Sequence, residues 1–214
     1  MLGFLGGTGP EGRGLALRLA LAGEPVILGS RDAARAEEAA RGLKARHDLA
    51  EVYGSLNEEV ARRADIVFIT VPFSAQVALL EPLAGLLSGK VVVDTVAPVA
   101  LSRGQFYVVP VEQGSAALQA QAILPNSKVV AAFQTVSAPD LLDHPRAIEG
   151  DVVTCADDEE ARGAVMALAE RIPHLRAING GGLGSSRYVE GITALLLNIN
   201  RRYRGRSGIR VVGI

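Results

Sequence analysis

The stretch Leu2–Gly12, LGFLGGTGPEG, joins a short apolar run to a glycine-rich loop. Gly7, Gly9 and Gly12 have the spacing GxGxxG, and Pro10 falls where a first helical turn would begin. In a strand–loop–helix unit, these glycines permit a tight turn, a close approach of backbone to a pyrophosphate, and close helix packing. The stretch therefore predicts a dinucleotide-binding unit. The residues expected around the phosphates are Gly7, Thr8, Gly9, Pro10, Glu11 and Gly12.

Short apolar runs recur along the chain and alternate with segments of helical character. The runs are Leu2–Leu5, Pro25–Leu28, Ile66–Val71, Lys90–Asp94, Phe106–Val109, Val129–Phe133 and Val152–Cys155. The helical segments are Gly12–Ala22, Asp32–Arg46, Ser74–Leu87, Gly114–Ile123 and Asp158–Arg171. Continuous apolar runs are typical of parallel strands that are buried on both faces. We expect an α/β fold, a Rossmann-type doubly wound and mostly parallel sheet with a small C-terminal α/β segment.

The C-terminal region differs in pattern from the rest. Ser185 or Ser186 is placed to cap a helix whose apolar residues recur at helical spacing, whereas Leu195 and Leu197 lie off that stripe. A helix that is apolar on two sides needs two surfaces to cover it. A partner subunit and burial wholly within one chain are equally compatible with this pattern. We expect residues 1–178 to form the nucleotide-binding domain, and 179–214 to complete the cleft and a homodimer interface.

Composition excludes several classes of protein. The 214 residues include 22 basic and 23 acidic side chains, a net charge of -1, which points to neither nucleic acid nor an anionic membrane as partner. No apolar stretch is long enough for a membrane-spanning helix. The single cysteine, Cys155, excludes an internal disulfide and lies in an apolar run, where we expect it to pack as a small hydrophobe. The N-terminus lacks the features of a signal peptide, so we expect a cytoplasmic protein.

The end of the second apolar run indicates which nicotinamide cofactor binds. Proteins that bind NAD usually carry Asp or Glu there to hold the ribose 2′-hydroxyl. Here that position reads Gly29, Ser30, Arg31, with Arg35 one helical turn later. A hydroxyl and two guanidinium groups suit a 2′-phosphate, so the sequence predicts NADP(H). Asp32 weakens this prediction, and a solvated helix start is the alternative.

Few acids or bases follow the predicted strands. In an open α/β sheet the ligand lies beyond the carboxyl ends of the strands. The residues found there include Val71, Pro72, Ala97, Pro98, Gln134 and Val136. Such an apolar cleft fits direct hydride transfer, in which the cofactors supply the chemistry and the protein supplies orientation. We expect no catalytic acid or base and no metal.

Several longer motifs carry a resemblance to a known family. They are GGTGPEG at 6–12, GSR at 29–31, VVAAFQTVSA at 129–138, CADD at 155–158 and LGSSRYVEGITALLLN at 183–198. With these motifs the chain resembles the NADPH-dependent coenzyme F420 reductases, or F420:NADP oxidoreductases, over nearly its whole length. The resemblance implies hydride transfer between NADPH and the deazaflavin coenzyme F420 by a homodimer.

The same resemblance implies roles for individual residues. Those expected to bind NADP are Thr8, Ser30, Arg31, Arg35 (a lysine in related members), Val71, Pro72 and Ala138. Those expected to line the deazaflavin site are Ala97, Pro98, Gln134, Val136 and Ser207. Gln134 stands where some members have histidine, so its expected role is to orient the ring by a hydrogen bond, for example to a ring carbonyl.

Two other functions are compatible with the sequence. The first is an NADPH-dependent reductase of another small acceptor, such as a flavin or an imine. The second is a non-catalytic NADP(H)-sensing module, which would need no second pocket. The C-terminal region also carries five arginines within ten residues, which predict either steering of an anionic substrate or a solvated basic end. They are Arg201, Arg202, Arg204, Arg206 and Arg210.

Overall fold

A computed structural model describes residues 1–214 in full. The strands are β1 (Leu2–Leu5), β2 (Val26–Ser30), β3 (Val52–Leu56), β4 (Ile66–Ile69), β5 (Val91–Asp94), β6 (Val99–Ser102), β7 (Gln105–Val108), β8 (Lys128–Ala131), β9 (Gly150–Thr154) and β10 (Leu175–Asn179). The helices are α1 (Pro10–Leu21), α2 (Ala33–His47), α3 (Asn57–Arg63), α4 (Phe73–Leu80), α5 (Ala84–Leu87), α6 (Ala116–Ile123), α7 (Ala138–Leu142), α8 (Glu159–Glu170) and α9 (Ser186–Tyr203).

The central sheet has six parallel strands in the order β3-β2-β1-β4-β5-β8. Side chains of each strand alternate between two cores, so Phe4 and Phe68 face one layer of helices while Leu5 and Ile69 face the other. This two-sided burial explains why the strands read as continuous apolar runs. The predicted Rossmann-type, doubly wound fold is confirmed.

Three of the helices begin at polar side chains that cap their first turns. Asp32 accepts hydrogen bonds from the N–H groups of Ala34 and Arg35 at the start of α2. Ser115 and Asp158 cap α6 and α8 in the same way. These side chains satisfy N–H groups that have no partner within the helix, and so fix where each helix begins.

The run Phe106–Val109 does not belong to the parallel sheet, and that prediction is wrong. It forms β7, which pairs antiparallel with β6 in a separate hairpin. Arg103 and Gly104, at the turn, have φ angles of 46° and 81°. Two consecutive residues with positive φ make the tight turn that suits the twist of a hairpin.

Residues 52–63 form a strand and a helix that the apolar runs did not reveal. The strand β3 lies at the edge of the sheet and is only partly buried, so its sequence, VYGSL, lacks a continuous apolar run. A Cβ added to Gly54 would lie 2.3 Å from backbone atoms of Ala36, so glycine is required for α2 to pack there. The helix α3 follows β3 directly and begins at Asn57.

Two further predictions need correction in detail. The segment Ser74–Leu87 is not one helix, because a 3₁₀ turn that contains Pro82 separates α4 from α5. The run Val152–Cys155 lies in β9, which pairs in parallel with β10 and meets the main sheet only through an antiparallel bridge between Ala131 and Cys155. With α8, these strands form a small α/β unit over 150–179, which lies almost wholly within the residues 1–178 predicted for the nucleotide-binding domain.

The helix α9 is covered by its own chain on one side only. Val189 and Leu196 are buried, whereas the side chains of Leu195 and Tyr203 are 58% and 74% exposed. Burial of the helix wholly within one chain is therefore excluded. Ser185 occupies the capping position without making a capping hydrogen bond, because the first turn is preceded by a 3₁₀ turn. None of the helices combines the length and apolar character needed to span a bilayer.

Candidate nucleotide and hydride-transfer site

A cavity of about 620 Å³ opens at the carboxyl ends of β1, β2 and β4. The order of the strands reverses between β1 and β4, which is where ligands bind in open α/β sheets. The cavity brings together seven residues that the sequence placed at the nucleotide or beside it. They are Thr8, Gly9, Ser30, Arg31, Arg35, Val71 and Pro72.

The three glycines of the loop lack a side chain for two different reasons. A Cβ on Gly7 would lie 2.7 Å from the carbonyl oxygen of Phe4, and one on Gly12 would lie 2.6 Å from Cα of Gly7. These two glycines let α1 pack against the end of β1. A Cβ on Gly9 would meet no protein atom within 3.8 Å. The space above Gly9 is therefore open, and the backbone there forms a cradle that fits a pyrophosphate.

The end of β2 presents cations without carboxylate partners. Arg31 and Arg35 are exposed and neither makes an ion pair. The carboxylate of Asp32 is directed to the first turn of α2, so it does not neutralise them. Ser30 Oγ accepts a hydrogen bond from Asp32 N at 3.2 Å, and its own O–H stays free to donate. This arrangement fits a phosphate monoester.

Sequence reasoning missed one side of the cavity because it missed α3. Asn57 Oδ1 accepts a hydrogen bond from the N–H of Gly6 at 3.0 Å, and so fixes the entry to the glycine loop. Leu56 lines the cavity beside it, opposite an apolar wall from the region of α4. That wall consists of Ala75, Ala78, Leu79, Pro82 and Leu83. Leu56 and Asn57 could have been placed at the cavity only if the strand that ends at Leu56 had been recognised, and that edge strand has no continuous apolar run.

Glu11 is an unusual residue for a phosphate-binding loop. It lies in the first turn of α1, and its Oε1 atom is buried with no hydrogen-bond partner. Burial raises the pKa of the carboxyl to about 8. The side chain is therefore mostly protonated at neutral pH, and its charge would appear beside the phosphate site only in alkaline solution.

Gln134 is held at the carboxyl end of β8 by an unusual backbone conformation. The preceding residue, Phe133, is fully buried and has a φ of 71°, which costs about 1 to 3 kcal/mol for a residue other than glycine. Gln134 Nε2 donates to the carbonyl oxygen of Asp94 at 2.9 Å, and Thr193 Oγ1 donates to the carbonyl oxygen of Gln134 at 3.0 Å. The side-chain oxygen Oε1 is buried without a partner. The free group of this amide is thus mainly an acceptor.

A buried polar network lies beneath the chain that follows β5. Asp94 is fully buried and accepts hydrogen bonds from Gln76 Nε2 at 2.8 Å and Val96 N at 2.9 Å. Burial raises its pKa to about 8, and nearby Glu190 contributes in the same direction. Gln76 Oε1 in turn accepts from Gln119 Nε2 at 2.8 Å. The network fixes the turn that leads to Ala97 and Pro98.

Comparison with known proteins gives consistent results. Residues 1–98 match the family described as NADP oxidoreductase, coenzyme F420-dependent. The F420-dependent NADP reductase of Methanothermobacter marburgensis is 41% identical, over 100% of this chain and 98% of its own. That of Methanothermobacter thermautotrophicus is 39% identical, over 100% and 95%. This chain belongs to the F420-dependent NADP reductase family.

A solved structure agrees with this assignment. The crystal structure of a protein assigned as an F420-dependent NADP reductase from Arthrobacter sp. FB24 superposes with a TM-score of 0.85 and 25% identity. The superposition covers 99% of both chains. The fold of the F420-dependent NADP reductase family is thus shared over the whole length of this protein.

The residues expected at the deazaflavin are not all brought to one cavity. Val136 and Ser207 line a second cavity of about 350 Å³, between the loop after β8 and the C-terminal region. Ala97, Pro98 and Gln134 line neither this cavity nor the nucleotide cavity. Ala138, Gly7, Pro10, Glu11 and Gly12 likewise line neither, although the glycines shape the loop. The assignment of all these residues to ligands stays a prediction.

Three other side chains with chemically active groups are buried or packed against neighbouring side chains. Cys155 is buried, and burial raises the pKa of its thiol to about 11. His144 packs edge-on against His47 with 5.7 Å between the ring centroids. Arg206, one of the C-terminal arginines, donates to Asp140 Oδ1 at 2.9 Å and so is not a free cation. No three His, Cys, Asp or Glu side chains come together as a metal site would require.

Replacing Gly9 with alanine tests the cradle. The added methyl group makes only ordinary contacts, the nearest at 3.8 Å from the carbonyl oxygen of Gly6, so stability should change by less than about 1 kcal/mol. It occupies the space of the pyrophosphate, so the Kd for NADP⁺ should rise about tenfold or more. Urea unfolding measures the change in stability, and calorimetric titration measures the Kd for NADP⁺. Gly12→Ala is the contrast, because its methyl group would clash and destabilise the fold by about 1 to 3 kcal/mol. Unchanged NADP⁺ binding by Gly9→Ala would contradict the cradle.

Glu11 should make cofactor binding depend on pH. As pH rises through about 8, the carboxyl ionises beside the phosphate site, so the KM for NADPH should rise. The raised pKa also makes the stability depend on pH. The free energy of unfolding should be highest below pH 4.5, the pKa of the unfolded state, and should fall as pH rises from there towards about 8. Glu11→Gln should flatten the KM profile between pH 6 and 10 and remove this loss in urea unfolding. A KM profile that is the same in the variant as in the parent would show that ionisation of Glu11 does not affect the phosphate site.

Proposed function

We propose that this protein transfers a hydride between NADP(H) and the deazaflavin coenzyme F420. The observation that carries the proposal is the match of the whole chain to proteins named F420-dependent NADP reductase. The cations at the end of β2 support NADP(H) rather than NAD(H), because an acidic residue would repel a 2′-phosphate. The small, mostly uncharged surroundings of the strand ends support direct transfer between two bound cofactors.

The residues of this chain would bind and orient the two cofactors. Thr8, Ser30, Arg31 and Arg35 would hold the 2′-phosphate, and the loop at Gly9 the pyrophosphate. Val71, Pro72 and Ala138 would flank the nicotinamide end, with Ala97, Pro98, Val136 and Ser207 beside the deazaflavin. The bound cofactors supply the hydride donor and acceptor. Reduction of the deazaflavin takes up one hydride and one proton, and oxidation of NADPH releases the hydride.

Gln134 would accept a hydrogen bond from a donor group on the deazaflavin. Its Nε2 group already donates to Asp94, and its Oε1 atom has no partner. The amide therefore offers an acceptor, which suits a ring N–H better than the ring carbonyl considered from the sequence. A buried acceptor without a partner discriminates strongly against a ligand that lacks the donor.

The C-terminal residues 179–214 would complete the cleft and the dimer. Thr193 of α9 bonds to the backbone of Gln134, and Ser207 lines a cavity with Val136. The outer face of α9 and the β6–β7 hairpin together expose large apolar side chains, which supports a second copy of this chain as the partner. They are Leu101, Tyr107, Val108, Tyr188, Leu195 and Tyr203. The proposal includes a cytoplasmic location, which the single, buried thiol supports.

Loss of the arginine pair should weaken NADPH selectively. Arg31→Ala combined with Arg35→Ala removes charge-assisted bonds to the 2′-phosphate, so the KM for NADPH should rise about tenfold per arginine. The KM for NADH should hardly change. The assay follows the visible absorbance of F420, and Arg41→Ala on the same helix is the control. An equal effect on NADH would show that Arg31 and Arg35 do not bind the 2′-phosphate.

The same assay separates the proposed function from its alternatives. Reduction of flavins or imines without F420 would favour a reductase of another acceptor, and NADP⁺ binding without turnover would favour a sensing module.

A charge on the outer face of α9 should separate the subunits. Leu195 is exposed in a single chain, so Leu195→Glu should leave the fold intact. In a dimer it would bury a carboxylate, which favours dissociation. Analytical ultracentrifugation should show a dimer for the parent protein and a monomer for the variant. Glu170→Gln, at the end of α8, is an exposed control. A parent protein that is monomeric at micromolar concentration would refute the proposed dimer.

A further inference from the structure

A groove of about 550 Å³ lies between α1 and α2, next to the nucleotide cavity. The two share Thr8 and Arg35, so the groove begins where the proposed 2′-phosphate site ends. Arg13 lines it from α1, and Arg46 and His47 line it from the end of α2. Leu142, the last residue of α7, closes one side.

The groove contains more positive charge than its surroundings neutralise. Arg13, Arg35 and Arg46 make no side-chain hydrogen bond or ion pair, and the buried Nε atom of Arg13 has no partner. Glu38 is the one acidic side chain in the lining, and it makes no ion pair. By contrast, Arg206 is paired with Asp140 and Asp143. Unpaired guanidinium groups that converge on one cavity are the chemistry that binds carboxylates and phosphates.

The spacing of these cations indicates an extended ligand. Arg35 and Arg46 lie on one face of α2, eleven residues or about 16 Å apart. Between them the floor is apolar and shallow, with Ala39, Gly42 and Leu43. A single phosphate could not contact both ends. Because Arg35 is also assigned to the 2′-phosphate, a carbon chain bound beside NADP(H) would place its anionic groups on Arg13 and Arg46 and its methylenes on the floor.

We propose that this groove binds an extended organic polyanion, a chain carrying two or more carboxylate or phosphate groups, alongside bound NADP(H). One source is the phosphodiester and glutamate tail of the deazaflavin coenzyme, and this part rests on the proposed function. The helix α7 begins at Ala138 near the strand ends, and its last residue, Leu142, lines the groove. The other source is a separate polyanionic metabolite with the same chemistry.

Gly42 allows a matched test of charge within the groove. A Cβ at this position would meet no atom within 4 Å, so a glutamate, glutamine or lysine side chain introduced here starts without a clash. None of these changes removes an existing contact, and each replaces a helical glycine that disfavours the helix. Gly42→Glu and Gly42→Gln differ only in charge, so their difference isolates electrostatic binding from steric blocking. Arg46→Gln removes one cation, and Arg41→Gln removes one outside the groove as its control.

The probe is a tri-γ-glutamate peptide titrated by calorimetry into protein saturated with NADP⁺. We expect binding to the parent and to Arg41→Gln, about tenfold weaker binding to Arg46→Gln, and weaker binding to Gly42→Glu than to Gly42→Gln. Gly42→Lys should bind more tightly than the parent. Equal binding by Gly42→Glu and Gly42→Gln, or abolition of peptide binding by NADP⁺, would overturn the proposal. This titration contains no deazaflavin. Its outcome therefore does not depend on whether F420 is the hydride acceptor.

His47 supplies an independent readout. Burial lowers the pKa of its imidazole, and His144, Arg46 and Arg18 lower it further. A bound polyanion should raise that pKa in an NMR titration, and an unchanged value at saturating peptide would contradict binding in the groove. Kinetics then identify the source. If the coenzyme tail is the occupant, Gly42→Glu should raise the KM for tailed F420 but not for the tail-free deazaflavin. If both values stay constant while peptide binding changes, the occupant is a separate polyanion.

Discussion

The close packing of α1 on the end of β1 is the constraint on which the rest of the site depends. It requires that Gly7 and Gly12 have no side chains, because a Cβ on either would lie within 2.7 Å of backbone atoms. This contact directs the first turn of α1 at the cavity, where its free N–H groups point outward. The hydrogen bond from Gly6 to Asn57 and the open space above Gly9 then complete the cradle. The same contact positions Arg13 and Leu17 to form one wall of the basic groove.

Much of this arrangement could be predicted from the sequence, for an identifiable reason. The glycine loop and the end of β2 are local features, in which a few consecutive residues determine both the backbone and the chemistry. The edge strand β3 could not be predicted from apolar runs, because its exposed face carries no such pattern. The β6–β7 hairpin was misassigned because an apolar run does not reveal its partner, although the turn at Arg103 and Gly104 contained that information.

The hydride-transfer region was less predictable, since its geometry depends on contacts between distant segments. Gln134 is oriented by Asp94, which lies 40 residues earlier, and by Thr193, which lies 59 residues later. The positive φ of Phe133, directly before Gln134, is not a preference of phenylalanine. The buried sheet and the ring of Phe68, tilted against that of Phe133 with 6.0 Å between the centroids, hold it there. Sequence could therefore suggest that Gln134 matters, but not which of its two polar groups is free.

The electrostatic layout separates the two tasks of such a reductase. Near the strand ends, burial raises the pKa values of Glu11 and Asp94 to about 8, so these acids are mostly neutral at physiological pH. A hydride passing between two bound rings meets no fixed carboxylate charge from them, and no side chain must exchange a proton with carbon. At the rim, Arg31, Arg35 and Arg46 are exposed and make no ion pair. Anionic groups far from the reacting atoms thus provide the binding energy that orients uncharged rings at the centre.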